Sequence, residues 1–312
     1  MAQQRLRIYQ HPAFAAHQPP SDHAESPRRW TAISAALASL DESQFDILEA
    51  PLASDEAIQQ LHPKSYWQDL KKREPAAGGS VVQLDPDTWL GHGSIEAAAR
   101  GAGAVLAATD YAWQGRFAFC AARPPGHHAA LASPMGFCLI NPIALGAHHA
   151  CQQLGAKKVA IVDFDVHHGN GTQDIFAENP QVLYASSHQA PLYPGTGHAD
   201  ETGVGNLINR PLPPNTGSAE FRALWQDDIL PRVAEFQPEM LFISAGFDAH
   251  TNDPLAQLDL NTDDYHWLGE QLGLWAQQHC QGRLVAMSEG GYDIPSLEQA
   301  VNAFIHALNA VA

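Results

Sequence analysis

The sequence predicts an α/β fold in which a largely parallel sheet is covered by helices on both faces. Two patterns carry that expectation. Short apolar segments alternate with longer helical patterns along the 312 residues, the alternation that a parallel sheet with crossover helices requires. The unusual polar residues gather in the loops that follow the apolar segments, where open parallel sheets place their ligand crevice.

Taken in order, strand-like segments fall at residues 6–9, 46–49, 116–121, 159–162, 182–185, 240–244 and 283–287. Each is short, apolar and rich in β-branched or aromatic residues. Helical patterns cover residues 28–40, 94–108, 142–154, 218–236, 262–280 and 295–310. Ser94, with Glu96 close behind, reads as the cap of its helix. Two long Gly- and Pro-rich loops, residues 122–136 and 189–205, are the natural carriers of function. No repeat, low-complexity tract or linker interrupts the pattern, so residues 1–312 read as a single domain.

Composition narrows the function classes. A 45% hydrophobic, 16% charged chain with net charge −17 is an ordinary globular protein whose surface disfavours nucleic acid. The N-terminal segment lacks the apolar core of a signal peptide, and no run approaches the roughly 18 apolar residues of a membrane span. Cys120, Cys138, Cys151 and Cys280 show no paired spacing and read as reduced, mostly buried thiols, which points to the cytoplasm. Nothing in the sequence sets an oligomeric state.

The most informative stretch is V-D-F-D-V-H-H-G-N-G, residues 162–171, which sets carboxylates and imidazoles at the end of an apolar run. Asp163, Asp165 and His167 are spaced by two while the chain is still extended. All three therefore leave the backbone on one side, with Phe164 and Val166 on the other. Carboxylate oxygens and imidazole nitrogens are good ligands for Zn²⁺, and acids among bulky apolar residues are costly unless a cation pairs with them. Asp248, just past M-L-F-I-S-A-G, is the natural third ligand, with Gly246 permitting a tight turn. Asp165, His167 and Asp248 would leave an open position for water or substrate, and Fe²⁺ accepts the same donors.

Two anionic ligands neutralise the metal's charge more fully than imidazoles would, so a separate general base is needed. His127 and His128 supply it, held behind Pro124, Pro125 and Gly126. The partner of each imidazole sets its role: Asp163 is suited to orient one of the pair and Asn170 the other. Tyr292, between Gly291 and Asp293, offers a phenolic donor to an oxyanion that forms as water adds to a carbonyl. Metal, base and oxyanion donor together describe hydrolysis of an amide or ester.

The strings R-P-P-G-H-H-A, G-F-C-L-I-N, V-D-F-D-V-H-H-G-N-G-T-Q, L-Y-P-G-T-G, S-A-G-F-D-A-H-T-N-D-P-L and E-G-G-Y-D occur in that order. In these the chain resembles the zinc-dependent histone deacetylase family, in its class II-like branch with bacterial histone deacetylase-like amidohydrolases. The similarity runs from H-A-E-S-P-R-R near residue 25 to the last helix. It implies the arginase/deacetylase fold, a three-layer α/β/α sandwich around a mostly parallel sheet. It also implies zinc on Asp165, His167 and Asp248, with His127 backed by Asp163. His128 would be the principal base and later acid, backed by Asn170, and Tyr292 would polarise the acyl carbonyl. The implied reaction is hydrolysis of the amide of N-acetyl-lysine side chains, or similar acylated amines, to free amine and acetate.

The same resemblance assigns Phe137 and Tyr193 to the walls of a narrow substrate tunnel, with Gly136 and Leu255 lining or capping it. It further implies a structural K⁺ near Asp163, Asp165, His167, Ser186 and Ser187. Acetylated lysine in a protein or peptide, or a small acylated amine, is then the partner, with neither nucleic acid nor membrane involved. The alternative enzyme is an acetylpolyamine amidohydrolase, against which the apolar Leu255 weighs where polyamine-specific relatives carry an acid. A third reading is an acyl-lysine-binding pseudoenzyme, although no ligand or catalytic position is missing. Arg29 reads equally as a helix-start arginine or as one near a product exit. His148 and His149 read as scaffold, and His168 as holding its loop while facing away from the metal.

Overall fold

The computed structural model describes residues 5–312. Its strands are β1 (Arg7–Gln10), β2 (Asp46–Glu49), β3 (Val82–Gln83), β4 (Trp89–Leu90), β5 (Phe117–Cys120), β6 (Val159–Asp163), β7 (Val182–Gln189), β8 (Leu207–Leu212), β9 (Leu241–Ala245) and β10 (Leu284–Ser288). The α-helices are α1 (Pro27–Ala38), α2 (Asp55–Ile58), α3 (Lys64–Arg73), α4 (Ser94–Ala112), α5 (Pro142–Gln152), α6 (Asn170–Phe176), α7 (Ser218–Leu224), α8 (Leu230–Phe236), α9 (Thr262–His279) and α10 (Ile294–Ala310).

The main sheet has eight strands in the order β2-β1-β5-β10-β9-β6-β7-β8, and every neighbouring pair is parallel. Its two faces are buried by different helices. Phe119 packs on Phe304 of α10, and Ala286 and Ile243 share its register and therefore its face. Phe242, one residue earlier, points the opposite way and lies against Gly146 of α5. Helices α1, α9 and α10 pack together, as do α4 and α5, so the molecule is an α/β/α sandwich. None of the described helices is long and apolar enough to cross a membrane.

The strand segments expected from the sequence all form; β3, β4 and helices α2, α3 and α6 are additions, and within the main sheet β8 is an addition. Asn209, Arg210 and Pro211 interrupt its apolar run. It is an edge strand paired with β7 alone, where a proline costs no ladder bond to a second neighbour. The pattern at 218–236 resolves into α7 and α8 joined by a π-helical turn, Trp225–Ile229, which seats the Trp225 indole N–H on the Ser187 hydroxyl at 3.0 Å.

Ser94 is not a helix cap. Gly93 occupies that position with a left-handed φ of 82°, and the buried Ser94 hydroxyl instead bonds His17 Nδ1 at 2.7 Å and the Gly91 N–H at 2.9 Å.

Candidate active site

Strands β5, β10, β9 and β6 are consecutive neighbours at the centre of the sheet. The loops leaving their carboxyl ends bring together His127 and His128, Tyr292, Asp248, and Asp163 to Asn170. Residues scattered over more than a hundred positions thus meet because the topology places these strands side by side.

Asp165, His167 and Asp248 are buried, and one donor atom from each lies within 4.8 Å of the others. His167 Nδ1 stands 3.1 Å from Asp165 Oδ1 and 3.1 Å from Asp248 Oδ2. Burial opposes a charge on this imidazole, yet the two carboxylates outweigh it and raise His167 to about 10. Two carboxylates and an imidazole converging in this way could hold a metal ion, and mixed N/O donors are of the kind that zinc and ferrous iron accept. Backbone donors fix the carboxylates: Gly290 N–H bonds Asp165 Oδ2 at 2.8 Å and Val166 N–H bonds Asp248 Oδ1 at 2.9 Å. Gly246 is needed for close approach rather than for a turn, since a Cβ there would overlap the Asp165 carboxylate.

The tandem histidines have different partners. His127 Nδ1 lies 3.0 Å from Asp163 Oδ2, which also accepts from the Tyr184 hydroxyl at 3.0 Å. Burial would lower this imidazole, but Asp165 and Asp163 raise it to about 10, so it is a cation at neutral pH. His128 Nδ1 lies 2.8 Å from Asn170 Oδ1, a neutral acceptor. Burial, followed by the neighbouring His127 and His167 charges, holds His128 well below its ordinary value. Donation from Nδ1 to Asn170 leaves the Nε2 lone pair as the basic site.

A cavity of about 230 Å³ opens onto these groups, lined by His128, His167, Tyr292, Gly136, Phe137, Leu192, Tyr193, Leu255 and Asp87. Phe137 meets Tyr292 edge-on at 5.8 Å, and Tyr193 meets His128 at 5.3 Å. Phe137 adopts φ 69°, a conformation that costs a bulky residue energy. The preceding Gly136 has no room for a Cβ, which would overlap the His128 ring.

Two lining residues, Asp87 and Leu192, lay outside the sequence argument. Asp87 belongs to the turn between β3 and β4, elements too short to leave a periodic signal. Its carboxylate accepts from the Gly136 N–H at 3.2 Å, and burial together with Asp85 raises its pKa. Of the predicted cation-site residues, Asp163 and Ser186 pair across β6 and β7. The Ser186 hydroxyl bonds His188 Nδ1 at 2.9 Å and that of Ser187 accepts from Trp225, so both side chains are already engaged.

Arg29 is fully buried and is no ordinary helix-start arginine: it bonds Glu25 and the carbonyls of Gly291 and Glu289, and its guanidinium lies 4.9 Å from the Tyr292 ring centre. His168 bonds Thr196 and Gln173, bracing the loop. His149 bonds Asp110 at 2.8 Å, beside the half-buried His148 and away from the cavity.

Buried acids and imidazoles at the carboxyl ends of a parallel sheet are placed as a metal-assisted hydrolytic site requires. The chain belongs to the histone deacetylase family, whose domain model, "Histone deacetylase domain", matches residues 23–308. It is 37% identical to the histone deacetylase-like amidohydrolase of Pseudomonas aeruginosa, over 88% of this chain and 74% of that one. Type-2 histone deacetylase 2 of Dictyostelium discoideum is 35% identical over 97% of this chain, which spans only 20% of that protein's length. The crystal structure of the HDA15 HD domain superposes with a TM-score of 0.90 at 32% identity, covering 99% of this chain and 90% of the other. The arginase/deacetylase fold expected from the motifs is therefore the fold observed.

Proposed function

We propose that this protein is a zinc-dependent deacetylase that hydrolyses N-acetyl-lysine side chains. The observation that carries the reading is the aromatic-walled cavity ending at His128 and His167. Phe137, Tyr193, Leu192 and Leu255 suit a flexible methylene chain, whose burial favours binding while its amide is carried inward. Asp165, His167 and Asp248 would hold the metal. That ion, when bound, supplies Lewis-acid activation of water and carbonyl.

His128 accepts the proton of the attacking water at Nε2 and later returns it to the departing amine. His127, held against the Asp163 carboxylate at 3.0 Å, contributes a fixed positive field beside the reacting carbonyl. The Tyr292 hydroxyl donates to the oxygen on which negative charge develops. In this reading the whole chain works as one deacetylase domain. A structural K⁺ near Asp163, Asp165, His167, Ser186 and Ser187 would stiffen the ligand loop, backbone carbonyls completing its shell. The free cysteines accord with a reducing, cytoplasmic setting.

A second reading, hydrolysis of an N-acetylpolyamine, is favoured by one observation: the Asp87 carboxylate in the cavity wall, suited to a second ammonium group. Leu255 weighs the other way. Matched acetyl-lysine peptide and N-acetylpolyamine substrates separate the two, and the acetyl-lysine reading expects the higher kcat/KM for the peptide. A higher value for the polyamine would overturn it.

Replacing Asn170 by Asp should move the pH profile in a fixed direction. The new carboxylate stabilises protonated His128 and raises its pKa, so a higher pH is needed to keep the base neutral. The acid limb of kcat/KM should shift upward by roughly one unit. A limb that stays in place would remove His128 from the role of base.

A further inference from the structure

Glu289 is completely buried and plays no part in the chemistry above. Its Oε2 accepts hydrogen bonds from the backbone N–H of Gly126 at 2.6 Å and of His127 at 3.2 Å. Its Oε1 accepts from the Ser244 hydroxyl at 3.0 Å. The preceding residue holds the start of the same loop: the Ser288 hydroxyl donates to the Ala122 carbonyl at 2.8 Å and accepts from the Ala122 N–H at 3.0 Å. The end of β10 therefore grips the histidine loop where it leaves β5 and again where its imidazoles begin.

The tyrosine side of the site is tied to the same place. Arg29 donates to the backbone carbonyls of Glu289 and Gly291, the latter at 2.7 Å, fixing the chain that leads into Tyr292. Arg29 is itself paired with the buried Glu25 at 3.1 Å, and Glu25 is held by Arg123 of the histidine loop at 2.7 and 2.8 Å. Glu289 stands where these supports converge: its carbonyl anchors the tyrosine loop and its carboxylate anchors the histidine loop, 163 residues away in sequence.

We infer that Glu289 is a positioning residue for hydrolysis, fixing His127 and His128 in space relative to Tyr292 by clamping the N–H groups of Gly126 and His127. The inference rests on the proposed joint action of His128 and Tyr292. Removal of the carboxylate leaves two backbone donors without their acceptor in a closed site, a cost the loop relieves by moving. Displacement of about 1 Å is enough to cost on the order of 10² in rate. An amide at this position keeps an oxygen for the two N–H groups and turns its NH₂ toward Ser244, so glutamine should preserve the clamp.

The test compares zinc-loaded wild type, Glu289→Ala and Glu289→Gln in kcat and KM on an acetyl-lysine peptide, in zinc content and in the histidine ring NMR signals. The alanine variant is expected to lose about 10- to 100-fold in kcat with KM and zinc content nearly unchanged. The His127 and His128 signals should shift, and glutamine should restore most of both. Unchanged kcat and ring signals in the alanine variant would overturn the inference, as would a loss matched by lost folded or zinc-loaded protein. If the wild type hydrolyses no acetyl-lysine peptide, the proposed function falls, and the ring signals alone decide the role of Glu289. Should the alanine variant fail to fold, Ser244→Ala, which frees one carboxylate oxygen, serves in its place: lowered kcat at constant KM supports the clamp, and unchanged kcat contradicts it.

Discussion

Replacing His128 by alanine is expected to lower kcat by roughly 10²–10⁴, the range for loss of a positioned general base, while zinc content stays at the wild-type level. The expectation follows from the contrast between the two imidazoles. His127 lies against Asp163 and is driven up to about 10, so it carries a proton at neutral pH and offers no lone pair. His128 faces the neutral Asn170, and burial, followed by the charge of the neighbouring His127, lowers it well below its ordinary value. Only His128 is in the protonation state that accepts a proton. Steady-state kinetics with metal analysis on the same preparation checks this. A His128→Ala variant retaining a tenth or more of wild-type kcat would transfer the base to another group.

The second large effect is expected at Tyr292. Phenylalanine there should slow turnover by about 10²–10³, as for a lost oxyanion donor, with little change in KM. Burial pushes the phenol well above its usual range, the Arg29 cation opposing, which favours the protonated form that donates. Phenylalanine keeps the ring that packs at 5.8 Å on Phe137 and lies under Arg29. The substitution therefore isolates one hydrogen bond. A comparison of kcat and KM decides the point, since a rise in KM at constant kcat would mean that the hydroxyl binds substrate equally in the ground and transition states.

Much of this site was legible because its residues obey local rules. The spacing of Asp163, Asp165 and His167 at the end of β6 follows from strand periodicity, and the placement of Asp248 and Tyr292 follows from where parallel strands end. Residue chemistry alone left open which of His127 and His128 pairs with Asp163 and which with Asn170; the family resemblance assigned them, and the structure sets His127 against Asp163 and His128 against Asn170. Asp87 was invisible because β3 and β4 are two residues each and leave no pattern. Glu25, Arg123 and Glu289 escaped for another reason, and Arg29 was singled out without its partners. Their pairing across 98 residues, for Arg123 and Glu25, or 163, for Glu289 and Gly126, is a property of the fold, with no local signature. Ser94 looked like a cap from its neighbours, but its hydroxyl went to His17 once burial brought that residue within reach.

The measurement that bears most directly on the central claim is a zinc titration of chelator-stripped protein, following hydrolysis of an acetyl-lysine peptide alongside bound metal. The account predicts no turnover without metal, activity rising linearly to one equivalent, and neither binding nor turnover in Asp248→Ala. Full activity in the stripped protein, or activity indifferent to the loss of Asp248, would contradict it.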